Sequence, residues 1–345
     1  MKQYQNLLSN IIENGRQKGD RTGTGTISIP YATLDFDMKD GFPLLTTKKV
    51  FTKGIIHELL WLLAGDTNIK YLEDNGVSIW TSDAYREYTK EWMKENPSFG
   101  GPYNAKILSK EEFIQTIRND AEFAKKYGDL GPVYGAQWRN WGEWKTVGDN
   151  PCTLRKGIDQ VQDAMNKLIN NPDDRRIIVS AWNVSDIDKM ALPPCHYMFQ
   201  LYSEELTPEE RWELANLTPN MSEIDWANKL CNDSNIPKRR LSLIWDQRSC
   251  DTFLGIPFNI ASYGILLHMF AQQANMVPGQ LIGSLKNVHI YNNHKDQCLE
   301  QISREPRALP KLVLNKAKDI FSYTYADIKF VDYSPHEAIK GEISV

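Results

Sequence analysis

Phe258-Asn259-Ile260-Ala261-Ser262-Tyr263-Gly264-Ile265-Leu266-Leu267-His268-Met269-Phe270-Ala271-Gln272-Gln273-Ala274 is the most apolar long run of the chain. Asn259, Ser262, His268 and Gln272 interrupt it. A bilayer span needs about 20 mainly apolar residues, so this run is too short and too polar to be one. It reads as a buried helix, opened by Gly255-Ile256-Pro257, with Asn259 as an N-cap-like residue. Beyond it, Leu281 to Ile290 reads as a strand, Asn292 to Arg304 as a helix and Tyr325 to Asp332 as a last strand. Before it, Arg176 to Trp182, Tyr197 to Tyr202 and Arg240 to Gln247 are strand-like, and Ile158 to Ile169 is helical by period. Ile55 to Leu63 predicts a buried helix, and Thr26 to Phe36 strands or a hairpin after a turn at Asp20 to Thr26. Tyr4, Leu7, Leu8, Ile11 and Ile12 recur at helical spacing. The order mixes helix and strand with neither regular βαβ alternation nor repeat, which favours α+β over a doubly wound sheet.

The chain has 345 residues, 41% hydrophobic and 24% charged, an ordinary globular composition that allows one large domain or two smaller ones. A net charge of −4 argues against a general nucleic-acid binder, so any anion site must be a local cluster of Arg and Lys. Cys152, Cys195, Cys231, Cys250 and Cys298 are widely spaced, which indicates neither a zinc site nor a disulfide framework. Met1-Lys2-Gln3-Tyr4 does not start a secretory signal, and a reducing cytoplasm is the expected home. Two polar stretches, roughly 82–126 and 204–237, read as elaborations on the core. The first predicts a short helix near Glu111 to Asn119, and the second a helix capped by Thr207 with Pro208 in its first turn.

Chemistry concentrates elsewhere. Leu192-Pro193-Pro194-Cys195-His196 sets a cysteine between a stiff double proline and a histidine. A thiol among arginines is a candidate nucleophile, although a lone cysteine is as readily a small buried hydrophobe. His196 is the adjacent base, but neighbours on a strand face opposite ways. Arg175 and Arg176 open the strand-like run before it, as solvated charges or as phosphate ligands. In Gln247-Arg248-Ser249-Cys250-Asp251, Arg248 and Ser249 suit phosphate oxygens and Asp251 a heterocyclic N–H; a strand-end salt bridge is the alternative. The Asn259 amide pairs a donor with an acceptor, matching the N3–H and O4 edge of uracil. His289 and Tyr291 lie two apart on a strand, on one face, and suit a sugar hydroxyl. His289 and His294 lack a third metal ligand. Glu58 in an apolar helix must be satisfied structurally or functional.

Together with Arg21-Thr22-Gly23-Thr24-Gly25-Thr26, Leu44 to Lys48, His57-Glu58-Leu59-Leu60-Trp61 and Gly128 to Gly135, these segments make the chain resemble thymidylate synthases over nearly its full length. The resemblance implies one α+β domain, 1–345, whose large mixed β-sheet forms a homodimer interface, flanked by helices and carrying the two polar stretches as insertions. It implies that Cys195 adds to C6 of dUMP, with 5,10-methylenetetrahydrofolate as co-substrate, giving dTMP and dihydrofolate without a metal, a membrane or a nucleic acid. Glu58, Tyr134, His196, Asp251 and Arg248 would serve the catalysis. Arg21, Gln247, Arg248, Ser249, Asn259, His289 and Tyr291 would bind the nucleotide, and Arg175 and Arg176 would reach the partner's site. Trp80, Asp251, Gly255, Phe258 and Val345 would contact the folate. The chain departs from the common pattern at Phe51, Asp83, Asp246, Glu342 and Ser344. The similar deoxypyrimidine hydroxymethylases, which capture the methylene with water, stay open beside methylation, as does a non-catalytic nucleotide- or RNA-binding relative.

Overall fold

A computed structural model describes residues 1–20, 22–96, 107–142 and 157–342. Its strands are β1 (Arg16–Lys18), β2 (Thr26–Asp37), β3 (Ile178–Ser180), β4 (His196–Glu205), β5 (Arg239–Gln247), β6 (Cys250–Asp251), β7 (Val277–Tyr291), β8 (Lys311–Leu314) and β9 (Ile328–Val331). The large sheet runs β1-β2-β7-β5-β4-β3, with β6 also pairing β7. β7 is antiparallel to β2 but parallel to β5 and β6, so the sheet is mixed, as the α+β reading expects. The parallel β5–β7 pair requires a long crossover. The Gly255–Gln273 helix supplies it, and Ile256, Ile260, Tyr263, Ile265, Leu266, Leu267, Met269 and Phe270 are all buried. Burial on several sides is why the run is apolar all round rather than striped. Trp245 of β5 stacks on Tyr263 of this helix at 5.6 Å and 13°. A Cβ at Gly283 of β7 would stand 2.5 Å from the Trp245 ring, so the close approach needs glycine there.

The described residues divide into two compact units. Met1–Val50, Gln162–Ile178 and Phe199–Glu342 form the first, which holds most of the sheet and the long helix. The second, Phe51–Val161 and Val179–Met198, carries the Thr52–Leu63, Thr81–Glu95, Lys110–Asn119, Ala121–Tyr127 and Tyr134–Arg139 helices. Within it, Tyr88, Phe113, Phe123 and Tyr127 build an aromatic cluster with ring separations of 4.8 to 5.8 Å. The 82–126 stretch therefore has a core of its own, which its charged surface residues conceal in the sequence. The 204–237 stretch holds the Pro208–Leu214 helix, where Thr207 and Glu210 form a capping box around Pro208.

Three local expectations change. Thr26 to Phe36 is one strand rather than a hairpin. Arg176 to Trp182 shrinks to β3, because the Asp174 carboxylate accepts the Arg176 N–H and holds the arginine pair in a turn. Asn259 lies inside its helix, whose first residue is Gly255; Asp251 caps the approach instead. No helix among the described residues is long and apolar enough to cross a membrane.

Candidate active site

Cys195 sits just before β4, half-buried, and forms no disulfide with a described cysteine. Its backbone N–H donates to the Tyr134 hydroxyl at 2.7 Å. Tyr134 is the first residue of a short buried helix, and its ring stacks on His196 at 4.3 Å and 25°. The edge of Trp80 meets Tyr134 at 5.9 Å, and the Trp80 indole N–H donates to Glu58 Oε1 at 2.8 Å. Phenol, imidazole, indole and carboxyl thus form one wall within the second unit, and the backbone of Cys195 is tied to it.

Burial disfavours charge on both titrating members. It raises Glu58 to about 7 against the opposing pull of the Trp80 hydrogen bond. It lowers His196 to about 3, so the imidazole stays neutral at physiological pH. A carboxyl balanced between its two forms near neutrality can both give and take a proton. The neutral, stacked His196 is placed to hydrogen-bond and pack rather than to titrate.

In the first unit, β5 ends in a turn that carries Arg248 and Ser249. The buried Gln247 amide fixes that turn: it accepts from the Trp245 indole at 3.3 Å and donates to the Ser249 carbonyl at 3.1 Å. Arg248 and Ser249 remain half-buried. Asp251 Oδ1 accepts the N–H groups of Phe253 and Leu254 at 3.0 and 3.1 Å, which starts the long helix and leaves Oδ2 as a further acceptor. Asp251 pairs in register with His289, whose Nδ1 meets the Asn287 carbonyl at 2.8 Å. Only a protonated Nδ1 satisfies a carbonyl, so Nε2 of the neutral ring is an acceptor. Tyr291 stands edge-on to His289 at 5.3 Å. Asn259 and Phe258, in the first turns of the helix, are half-buried, and the Asn259 carboxamide makes no hydrogen bond to a described residue.

Arg175 and Arg176 are exposed in the turn before β3. Arg21 and Val345 lie outside the described residues. His294 is fully buried with Nε2 on the Glu342 carbonyl at 2.8 Å, a structural use, and no group of three metal-ligating side chains occurs among the described residues. Two of the departing positions are paired, Asp83 with Arg86 at 2.7 Å and Asp246 with Lys286 across β5 and β7, while Ser344 lies outside the described residues.

Two residues make contacts that carry no signal in the sequence. Lys48 is buried, donates to the Phe253 carbonyl at 2.5 Å and lies over the Phe253 ring; burial lowers it to about 8. Its neighbours Thr47 and Lys49 give no hint of this, because the contact is made 205 residues away. Arg86 is the second, on the Thr81–Glu95 helix that follows Trp80.

A family model described as Thymidylate synthase matches residues 2–345. The chain belongs to the thymidylate synthase family. A relative from Mycoplasma mobile with that name is 46% identical over 346 residues, covering 100% of both chains. Others so named, from Mycoplasma pneumoniae and Buchnera aphidicola subsp. Schizaphis graminum, are 40% and 41% identical, each again over 100% of both chains. The 82–126 and 204–237 stretches lie inside that shared length, so they are not additions peculiar to this member of the family.

Proposed function

We infer that this chain methylates dUMP to dTMP with 5,10-methylenetetrahydrofolate, through a transient bond between Cys195 and pyrimidine C6. Family membership supports the reaction. The observation that carries the covalent route is the wall that joins a held thiol segment to a carboxyl poised near neutrality.

The Cys195 thiolate bonds to C6, and the C5–C6 π electrons move to C5 and the O4 carbonyl, making C5 nucleophilic; once C5 has taken the one-carbon unit and lost its proton, the thiolate leaves C6 and the C5–C6 double bond re-forms. The folate, when bound, supplies the one-carbon unit and the hydride that reduces it to methyl. Glu58 exchanges protons around O4 and C5, helped by a pKa near the working pH. Tyr134 holds the Cys195 backbone and, with the neutral His196, completes the hydrogen-bonded shell. Arg248, Ser249 and Arg21 bind the phosphate, with Gln247 bracing the turn. Asn259, its amide uncommitted, pairs with N3–H and O4. His289 Nε2 and the Tyr291 hydroxyl take the sugar hydroxyl. The family pattern assigns Asp251, Gly255, Phe258 and Trp80 to the folate; within the first unit, Asp251 keeps one oxygen for a ring N–H, Phe258 gives aromatic surface and Gly255 offers an approach without a side chain. Val345 belongs to the same group by family pattern.

We read 1–345 as one catalytic domain, because a single family model runs through both units. The working form is a cytoplasmic homodimer built through the sheet, in which the exposed Arg175 and Arg176 bind the partner's nucleotide phosphate. Incubation with dUMP and methylenetetrahydrofolate should give dTMP by mass spectrometry and a rise in dihydrofolate absorbance. A 5-hydroxymethyl nucleotide without dihydrofolate would replace methylation by hydroxymethylation. Cys195→Ser should lose turnover while still binding dUMP; full activity in that variant would remove the nucleophile.

A further inference from the structure

We propose that Arg86 is a positioning residue for Cys195, acting by gripping the backbone of the segment that delivers the thiol. The reading rests on Cys195 as the nucleophile. Arg86 Nη2 donates to the Ala191 carbonyl at 2.6 Å, across 105 residues of sequence. The Ala191 N–H donates to the Leu130 carbonyl at 2.9 Å, so both backbone polar groups of Ala191 are held. Leu192, Pro193 and Pro194 then lead to Cys195, whose own N–H is held by Tyr134.

Little freedom remains between the two anchors. Each proline fixes its φ, and Leu192 and Pro193 are biased to extended backbone by the proline that follows. A shift at Ala191 is therefore passed on to the sulfur instead of being absorbed. The guanidinium is itself aimed: Nη1 donates to Asp83 Oδ1 at 2.7 Å one turn earlier, and Nε to Glu87 at 3.3 Å. An ordinary helix-surface ion pair would end there. The Ala191 bond is the additional contact, and it is charge-assisted and only partly solvated, with Arg86 29% exposed. The same helix carries Trp80 at its start, and Trp80 holds Glu58. One helix thus sets both the thiol segment and the proton-transferring carboxyl. Asp83, at a position where the family pattern commonly differs, is part of this device.

The test compares kcat, KM and dUMP affinity for wild type, Arg86→Ala, Arg86→Lys, Asp83→Asn and Cys195→Ser. Misplacing a reacting atom by a fraction of an ångström to about 1 Å costs up to about 100-fold. Arg86→Ala should lower kcat about 10- to 100-fold with dUMP affinity within about twofold. Arg86→Lys, which keeps a cationic donor, should recover part of the loss. A kcat within about twofold of wild type in Arg86→Ala, beside an inactive Cys195→Ser, overturns the positioning role alone. An active Cys195→Ser overturns the reading beneath it instead. Parallel loss of kcat, affinity and thermal stability, with no recovery in Arg86→Lys, overturns the proposal in favour of a purely structural role. If Arg86→Ala does not fold, Asp83→Asn decides, since it removes the carboxylate that aims the guanidinium; unchanged kcat there overturns the proposal.

Discussion

Glu58 shows how one half-buried side chain ties stability to chemistry. Its carboxyl titrates near 7 in the folded chain against about 4.5 when unfolded. Below the lower value both states are protonated and the residue is neutral to folding. Above the higher one the folded state holds a charge that burial disfavours, so Glu58 opposes folding increasingly as pH rises from 4.5 through 7. Glu58→Gln, which still accepts from Trp80, should gain stability over wild type at pH 8, by up to about 3 kcal/mol before solvent access is discounted, and gain nothing at pH 4. Its kcat should fall roughly 100-fold or more. Equal thermal midpoints of variant and wild type at pH 8 would remove the burial penalty. At Asn259, substitution by Asp should cost dUMP about 10- to 100-fold in kcat/KM and narrow its advantage over dCMP, because the donor to O4 is lost. An unchanged preference would place base reading elsewhere. Cys195 and Glu58 are both legible in the sequence, as a cysteine behind two prolines and a carboxylate in an apolar helix. The Tyr134 bond to Cys195 is not, since nothing local joins residues 61 apart.

At the scale of elements, the turn from β6 into the long helix does two things with one carboxylate. Asp251 Oδ1 caps the turn and Oδ2 is left as a further acceptor, the one proposed above for the folate. Asp251→Ala should therefore cost about 1 kcal/mol of stability as well as raise the folate KM. Asp251→Asn, which keeps a capping oxygen, should raise the folate KM with the thermal midpoint nearly unchanged. If both variants lose stability equally, the cap is not what the side chain contributes. The long helix and β7 were legible from composition and period, but the capping residue was not. Asn259 looks like a cap by residue type, yet the chain enters the helix four residues earlier, out of a turn in which Asp251 accepts the Phe253 and Leu254 N–H groups.

For the whole molecule, the proposed homodimer gives the exposed Arg175 and Arg176 a nucleotide phosphate carried by the second chain. Mixing Cys195→Ser protomers with Arg175→Ala/Arg176→Ala protomers should then restore activity. Random pairing gives half mixed dimers with one intact site each, about a quarter of wild-type activity. No recovery after subunit exchange, verified by mass, would remove the shared site.

The order of apolar runs was enough to establish an α+β chain with a buried crossover helix, because burial on several sides leaves a continuous apolar signature. The motifs around Cys195, Arg248, Asn259 and His289 likewise announced nucleotide chemistry. Folding alone settled which carboxyl and which imidazole are shifted, since those shifts come from neighbours distant along the chain. It also gave Arg86 its grip on Ala191 and Lys48 its place over the Phe253 ring, contacts whose partners lie more than a hundred residues off and leave no local trace.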